Sequence, residues 1–122
     1  MEPIVNENST IVLEIDIYRI IWKDNVRLER ADVEEAVRIY DELTDGVKDL
    51  KVLHVFPKNT SITSEARQWS AKRERPAIAE AFVIHSIIHR NLFKLYRKFR
   101  SVDYPMREFS TESKALEWLN EY

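Results

Sequence analysis

Residues 50–56 and 78–84 form two short, largely apolar runs that constrain this chain more than any other feature. Each is too short for a buried helix, and prolines punctuate them, Pro57 after the first and Pro76 before the second. A run apolar at nearly every position has no wet face, so both read as central strands covered on both sides. Such strands need helices above and below the sheet.

The flanking segments supply them. Ile11, Leu13, Ile15 and Ile17 alternate with Val12, Glu14 and Asp16, and Tyr18, Ile20 and Trp22 set a second alternation after a phase shift. This predicts an antiparallel hairpin, although no Gly or Asn-Gly marks its turn. Val26, Arg27 and Leu28 add a short extended piece. Asp32 and Glu35 stand at capping-box spacing before Val33, Ala36, Val37, Tyr40 and Leu43, predicting a helix over about residues 32–45 that ends at Gly46. A second helix is expected over about 64–73. A third follows a Ser86 cap, with Ile88, Leu92, Leu95 and Phe99 as its core stripe. The chain closes on a strand opened by Tyr104-Pro105 and on a helix capped by Ser110 or Thr111. There Ala115, Trp118, Leu119 and Tyr122 share one face.

The resulting order, ββαβαβαβα, predicts one α/β domain over residues 1–122. It has a mostly parallel sheet of about five strands, an N-terminal antiparallel hairpin and about four helices, with residues 1–9 as a flexible N-terminus. An exposed edge of the hairpin would suit a homodimer.

Composition narrows the chemistry. The chain has no cysteine, which excludes disulfides, thiolate metal sites and cysteine nucleophiles. Its one glycine, Gly46, excludes a glycine-rich phosphate loop and a Gly-x-Ser-x-Gly elbow. His85 and His89 are four apart, but no third ligand accompanies them, so no metal or cofactor is expected. His54, inside an apolar strand, reads as a hydrogen-bonded core histidine. No signal peptide or transmembrane segment is visible, which with the absence of cysteine predicts a cytoplasmic protein.

Charge is unevenly spread. Residues 1–63 carry 8 basic and 13 acidic side chains, whereas residues 64–100 carry 9 and 3. The basic block is mainly a solvated helix face; as a docking patch, with Arg67, Arg90, Lys94 and Arg97 as contacts, it would draw an acidic protein or an anionic surface rather than nucleic acid. The hydroxyl-rich loop at residues 59–64 leaves one central strand and opens a helix. Ser61, Thr63 and Ser64 there are candidates for an anion-binding or phospho-acceptor role, beside plain helix capping.

Residues 64–67 (Ser-Glu-Ala-Arg), residues 79–86, and the ending Tyr104-Pro105, Phe109, Ala115, Trp118-Leu119 resemble small STAS-like proteins of the sulfate-transporter and anti-sigma-factor-antagonist superfamily, over about residues 10–122. The resemblance implies a non-enzymatic regulatory module that binds another protein. In antagonist members a serine at this helix start is phosphorylated. Thr63-Ser64 is the nearest match here, with Ile62 and Glu65 in place of the acidic residue and glycine that flank it there. The related shape of CRAL-TRIO lipid-transfer domains implies the alternative, a carrier of a lipid or small apolar ligand. A small enzyme using dispersed histidines and carboxylates is the third reading; it requires a cleft where a histidine meets a carboxylate.

Overall fold

The computed structural model describes residues 2–45, 50–73 and 76–122. Its elements run β1 (Ile4–Val5), β2 (Ser9–Glu14), β3 (Ile17–Trp22), β4 (Arg27–Leu28), α1 (Arg30–Thr44), β5 (Lys51–Val55), β6 (Ser61–Ile62), α2 (Ser64–Lys72), β7 (Glu80–Val83), α3 (Ile87–Phe99), β8 (Met106–Phe109) and α4 (Glu112–Leu119). The main sheet has six strands in the order β1-β2-β3-β5-β7-β8, and β4 pairs with β6 in a separate two-stranded piece. The β1–β2 and β2–β3 pairs are antiparallel, and β3–β5, β5–β7 and β7–β8 are parallel. The two apolar runs are thus neighbours at the centre, with Val52 opposite Glu80 and His54 opposite Phe82.

Two differences from the sequence reading lie at the N-terminus. Residues 4–5, expected to be flexible, pair with Thr10 and Ile11, so the outer edge of β2 carries another strand instead of lying open. α1 starts at Arg30, not at residue 32: Asp32 lies inside the helix, and its Oδ2 accepts the Glu29 N–H at 2.8 Å. Asp45, in the left-handed region at φ 49°, caps the other end, and the expected stop at Gly46 lies outside the described residues.

The hairpin turn comprises Ile15 and Asp16, with Glu14 opposite Ile17. Ile15 adopts φ 56° and is 96% exposed. A β-branched residue there crowds its own carbonyl and packs against nothing, where a two-residue hairpin favours glycine. Ile15→Gly should therefore raise stability by about 0.5–1 kcal/mol, the relief of strain exceeding the extra chain entropy of glycine. Urea unfolding would show it as a higher midpoint at unchanged slope.

From β3 onward each new strand adds on the same side. Right-handed crossovers then put α1, α2 and α3 on one face, where α1 packs on α2 and α2 on α3. α4 covers the other face, against β5, β7 and β8. Its Ala115 and Leu119 are buried on Leu53, Ala81 and Val83, which point away from the three-helix side. The Thr111 Oγ1 accepts the Lys114 N–H at 3.2 Å and starts this helix, as its sequence predicts.

One expected core stripe is misplaced. On α3 the inward residues are His89, Phe93, Tyr96 and Arg100, with Leu92 half-buried, while Ile88, Leu95 and Phe99 remain 71%, 48% and 67% exposed. The apolar stripe lies about a quarter turn from the buried one. The error has a physical source. The inward side ends on a charged residue, Arg100, and the partners that allow a guanidinium to be buried there include groups from other segments of the chain.

Candidate functional site

The three-helix face of the sheet presents Trp22 from β3, His54 from β5 with Phe56 just beyond it, and Phe82 from β7. Successive inward positions of parallel strands stand side by side, and the rings align. His54 and Phe82 stack at 4.5 Å and 7°, Phe56 and Phe82 at 6.5 Å and 11°, and Trp22 and Phe56 at 5.9 Å and 21°. Above them Arg67 and Ser70 of α2, and His89, Leu92, Phe93 and Tyr96 of α3, roof a cleft. The cleft has a volume of about 90 Å³.

A buried polar network lies along the same face. His54 Nε2 is 2.7 Å from Glu80 Oε2, and both side chains are at least nine-tenths buried. The other oxygen, Oε1, accepts from the Tyr104 hydroxyl at 3.3 Å and lies 3.7 Å from Arg100 Nε. Arg100 donates through Nη2 to the Tyr104 hydroxyl at 2.8 Å and through Nη1 to the Ser70 carbonyl at 2.8 Å and the Tyr96 hydroxyl at 2.5 Å. Burial alone would push the Arg100 guanidinium down, but the Glu80 carboxylate, then Tyr96 and Tyr104, outweigh it and hold it above its ordinary value. The charge on Arg100 is therefore permanent. One carboxylate thus ties β5, β7, α3 and the segment before β8 together.

His54 is the hydrogen-bonded core histidine that its strand context predicts. Its partnership with Glu80 escaped sequence reading, although a signal existed: each is the imidazole or carboxylate interrupting one of the two apolar runs. His85 and His89 do not come together as ligands. His85 is exposed, and His89 Nε2 donates to the Thr60 carbonyl at 2.6 Å. Among the described residues no group of three or more His, Cys, Asp or Glu could hold a metal.

The hydroxyl-rich loop divides in function. Ser61 is exposed in β6, and Thr63 caps α2, its Oγ1 accepting the Ala66 N–H at 3.1 Å. Ser64, exposed at the first helical position, accepts from Gln68 Nε2 at 3.2 Å. Of the basic residues, Arg90, Lys94 and Arg97 are exposed on α3. Arg67 is half-buried and donates to the Ile62 carbonyl at 3.1 Å. It stands between the aromatic cleft and a groove of about 370 Å³ separating α2 from α3, lined by Ser64, Arg67, Gln68, Ala71, Lys72, Leu95, Tyr96 and Phe99.

A family model described as a domain of unknown function, DUF7793, matches residues 11–122. The chain belongs to that family. Among curated proteins none matches it. A crystal structure of an uncharacterized protein of the DUF3478 family from Shewanella loihica PV-4, described as having a SpoIIAA-like fold, superposes with a TM-score of 0.63. It shares 15% identity, with 91% of each chain covered. The fold is accordingly STAS-like, an α/β sandwich with a mostly parallel sheet and an N-terminal antiparallel hairpin. No helix among the described residues is long and apolar enough to cross a membrane.

Proposed function

We propose that this STAS-like domain is a regulatory module, without catalytic chemistry of its own, that docks an acidic amphipathic segment of another protein across α2 and α3. The observation that carries the reading is the solvent-exposed apolar stripe of α3. Leu95 and Phe99 line the α2–α3 groove, Ile88 is exposed nearer the start of the same helix, and Arg90, Lys94, Arg97 and Lys98 are exposed along it. An apolar strip bordered by cations matches a helix with apolar anchors and acidic flanks. Ser64 opens the groove next to Arg67. A phosphate on Ser64 would sit at the start of α2, gain from its dipole, and compete with an acidic partner for the same cations. This reading assigns a structural role to the His54–Glu80 pair, because Arg100 and Tyr104 hold the same carboxylate.

The test is affinity purification from the source organism, followed by binding of the purified partner to wild type, Leu95→Glu/Phe99→Glu and Arg90→Glu/Lys94→Glu. Each double variant should bind at least about tenfold more weakly, as expected when central anchors are lost. Wild-type binding should weaken steeply with salt. A partner that tolerates both variants, or none that binds directly, would overturn the reading.

A further inference from the structure

The aromatic cleft carries an inference separate from docking, because it opens on the sheet side of α3 whereas the docking stripe faces solvent. A cavity of about 90 Å³ is too small for a lipid or a drug-sized ligand, which occupies roughly 300 Å³ or more. It has the scale of a single ring. Its walls are themselves rings, and three of them, Trp22, Phe56 and Phe82, lie within 21° of a neighbour's plane. Such walls favour a flat, apolar guest that can meet aromatic faces and edges.

Two polar atoms add a chemical requirement. Trp22 is 3% exposed, yet its Nε1–H has no hydrogen-bond partner among the described residues. An indole N–H can only donate. His89 donates through Nε2 to the Thr60 carbonyl, and in that tautomer Nδ1 is an acceptor. Nδ1 too is buried without a partner among the described residues. A hydroxyl on such a guest has the chemistry that each atom lacks, an oxygen lone pair for the Trp22 N–H and a proton for the His89 Nδ1.

We infer that the cleft between β3, β5, β7 and helices α2 and α3 is a binding site for a small phenol. Phenol should bind about tenfold more tightly than toluene, which matches it in size and lacks the hydroxyl. The preference is thus set by hydrogen bonds that a hydrophobic guest leaves unmade.

The chain has 3 tryptophans, so an amide correlation spectrum of the nitrogen-labelled protein shows three indole N–H signals, assigned with Trp22→Phe. Titration with phenol should move the Trp22 signal saturably and leave that of Trp118, on α4 across the sheet, in place. His89→Phe keeps a ring at that position and should abolish the preference for phenol over toluene. Leu92→Trp fills the cleft from α3 and should abolish binding of both while the spectrum stays dispersed. If the filled variant does not fold, His89→Phe decides alone. Absence of saturable shifts with millimolar phenol, equal affinity for phenol and toluene in wild type, or a preference unchanged in His89→Phe would each overturn the assignment. Loss of phenol binding would leave the docking reading standing, because the partner assay does not use this cleft.

Discussion

Glu80→Ala should destabilise the protein by about 3–5 kcal/mol, the largest effect expected of any single substitution here, because it strands a buried guanidinium. Glu80 is 0% exposed and its carboxylate meets His54, Tyr104 and Arg100. Removing it leaves Arg100 charged, since that group sits above its ordinary value and cannot lose its proton instead. The remaining donors to Ser70, Tyr96 and Tyr104 do not neutralise the charge. Whole domains are stable by only about 5–15 kcal/mol, so the variant should stand near its unfolding threshold. Glu80→Ala/Arg100→Met removes both charges and should recover more than half of the loss, which distinguishes a stranded charge from a simple cavity. Equilibrium urea unfolding of the three proteins measures this. A loss below about 1 kcal/mol, or no recovery in the double variant, would show that the network adds little to the fold.

This network marks the boundary of what the sequence discloses. Strands β5 and β7 and helices α2 and α4 were legible because each carries its own local signal: an apolar run, a Thr63 or Thr111 cap, a proline near the boundary. In the closing unit Ala115, Trp118 and Leu119 face inward as their spacing predicts, whereas Tyr122 of the same expected face is 49% exposed. Polar residues inside the core were not legible as a set. His54, Glu80, Arg100 and Tyr104 come from different segments, and nothing local says that one carboxylate will gather the other three. That omission had a consequence on α3. The expected stripe of Ile88, Leu92, Leu95 and Phe99 is the more apolar side of the helix, whereas the inward side carries His89 and Arg100, whose partners no local pattern announces. The cleft was hidden for the same reason, since Trp22, Phe56, Phe82 and Phe93 come from four different segments and each alone is an ordinary core aromatic. The short β4–β6 pair was missed because two-residue strands have no period.

The rotation of α3 can be tested against α4 in one experiment. Leu119→Ala should cost about 3 kcal/mol, whereas Phe99→Ala should change stability by no more than about 0.5 kcal/mol. Both are large apolar residues late in amphipathic helices, and the sequence gives them the same rank. Leu119 is 0% exposed and packs with Ala115 on Leu53, Ala81 and Val83. Those wall residues belong to central strands fixed on their other face by three helices, so they cannot collapse into the space that the lost atoms leave. Incomplete relaxation is what raises such truncations above the simple transfer value. α4 is the helix that packs on this face of the sheet, so loosening it also wets the outer sides of β5 and β7. Phe99, at 67% exposure, has most of its ring in water in the folded state and loses little on truncation. Comparison of thermal and urea unfolding for the two variants gives the answer. Equal losses at both sites would return Phe99 to the core and remove the exposed stripe on which docking depends. A stable Phe99→Ala that no longer binds the partner separates the recognition surface from the scaffold that carries it.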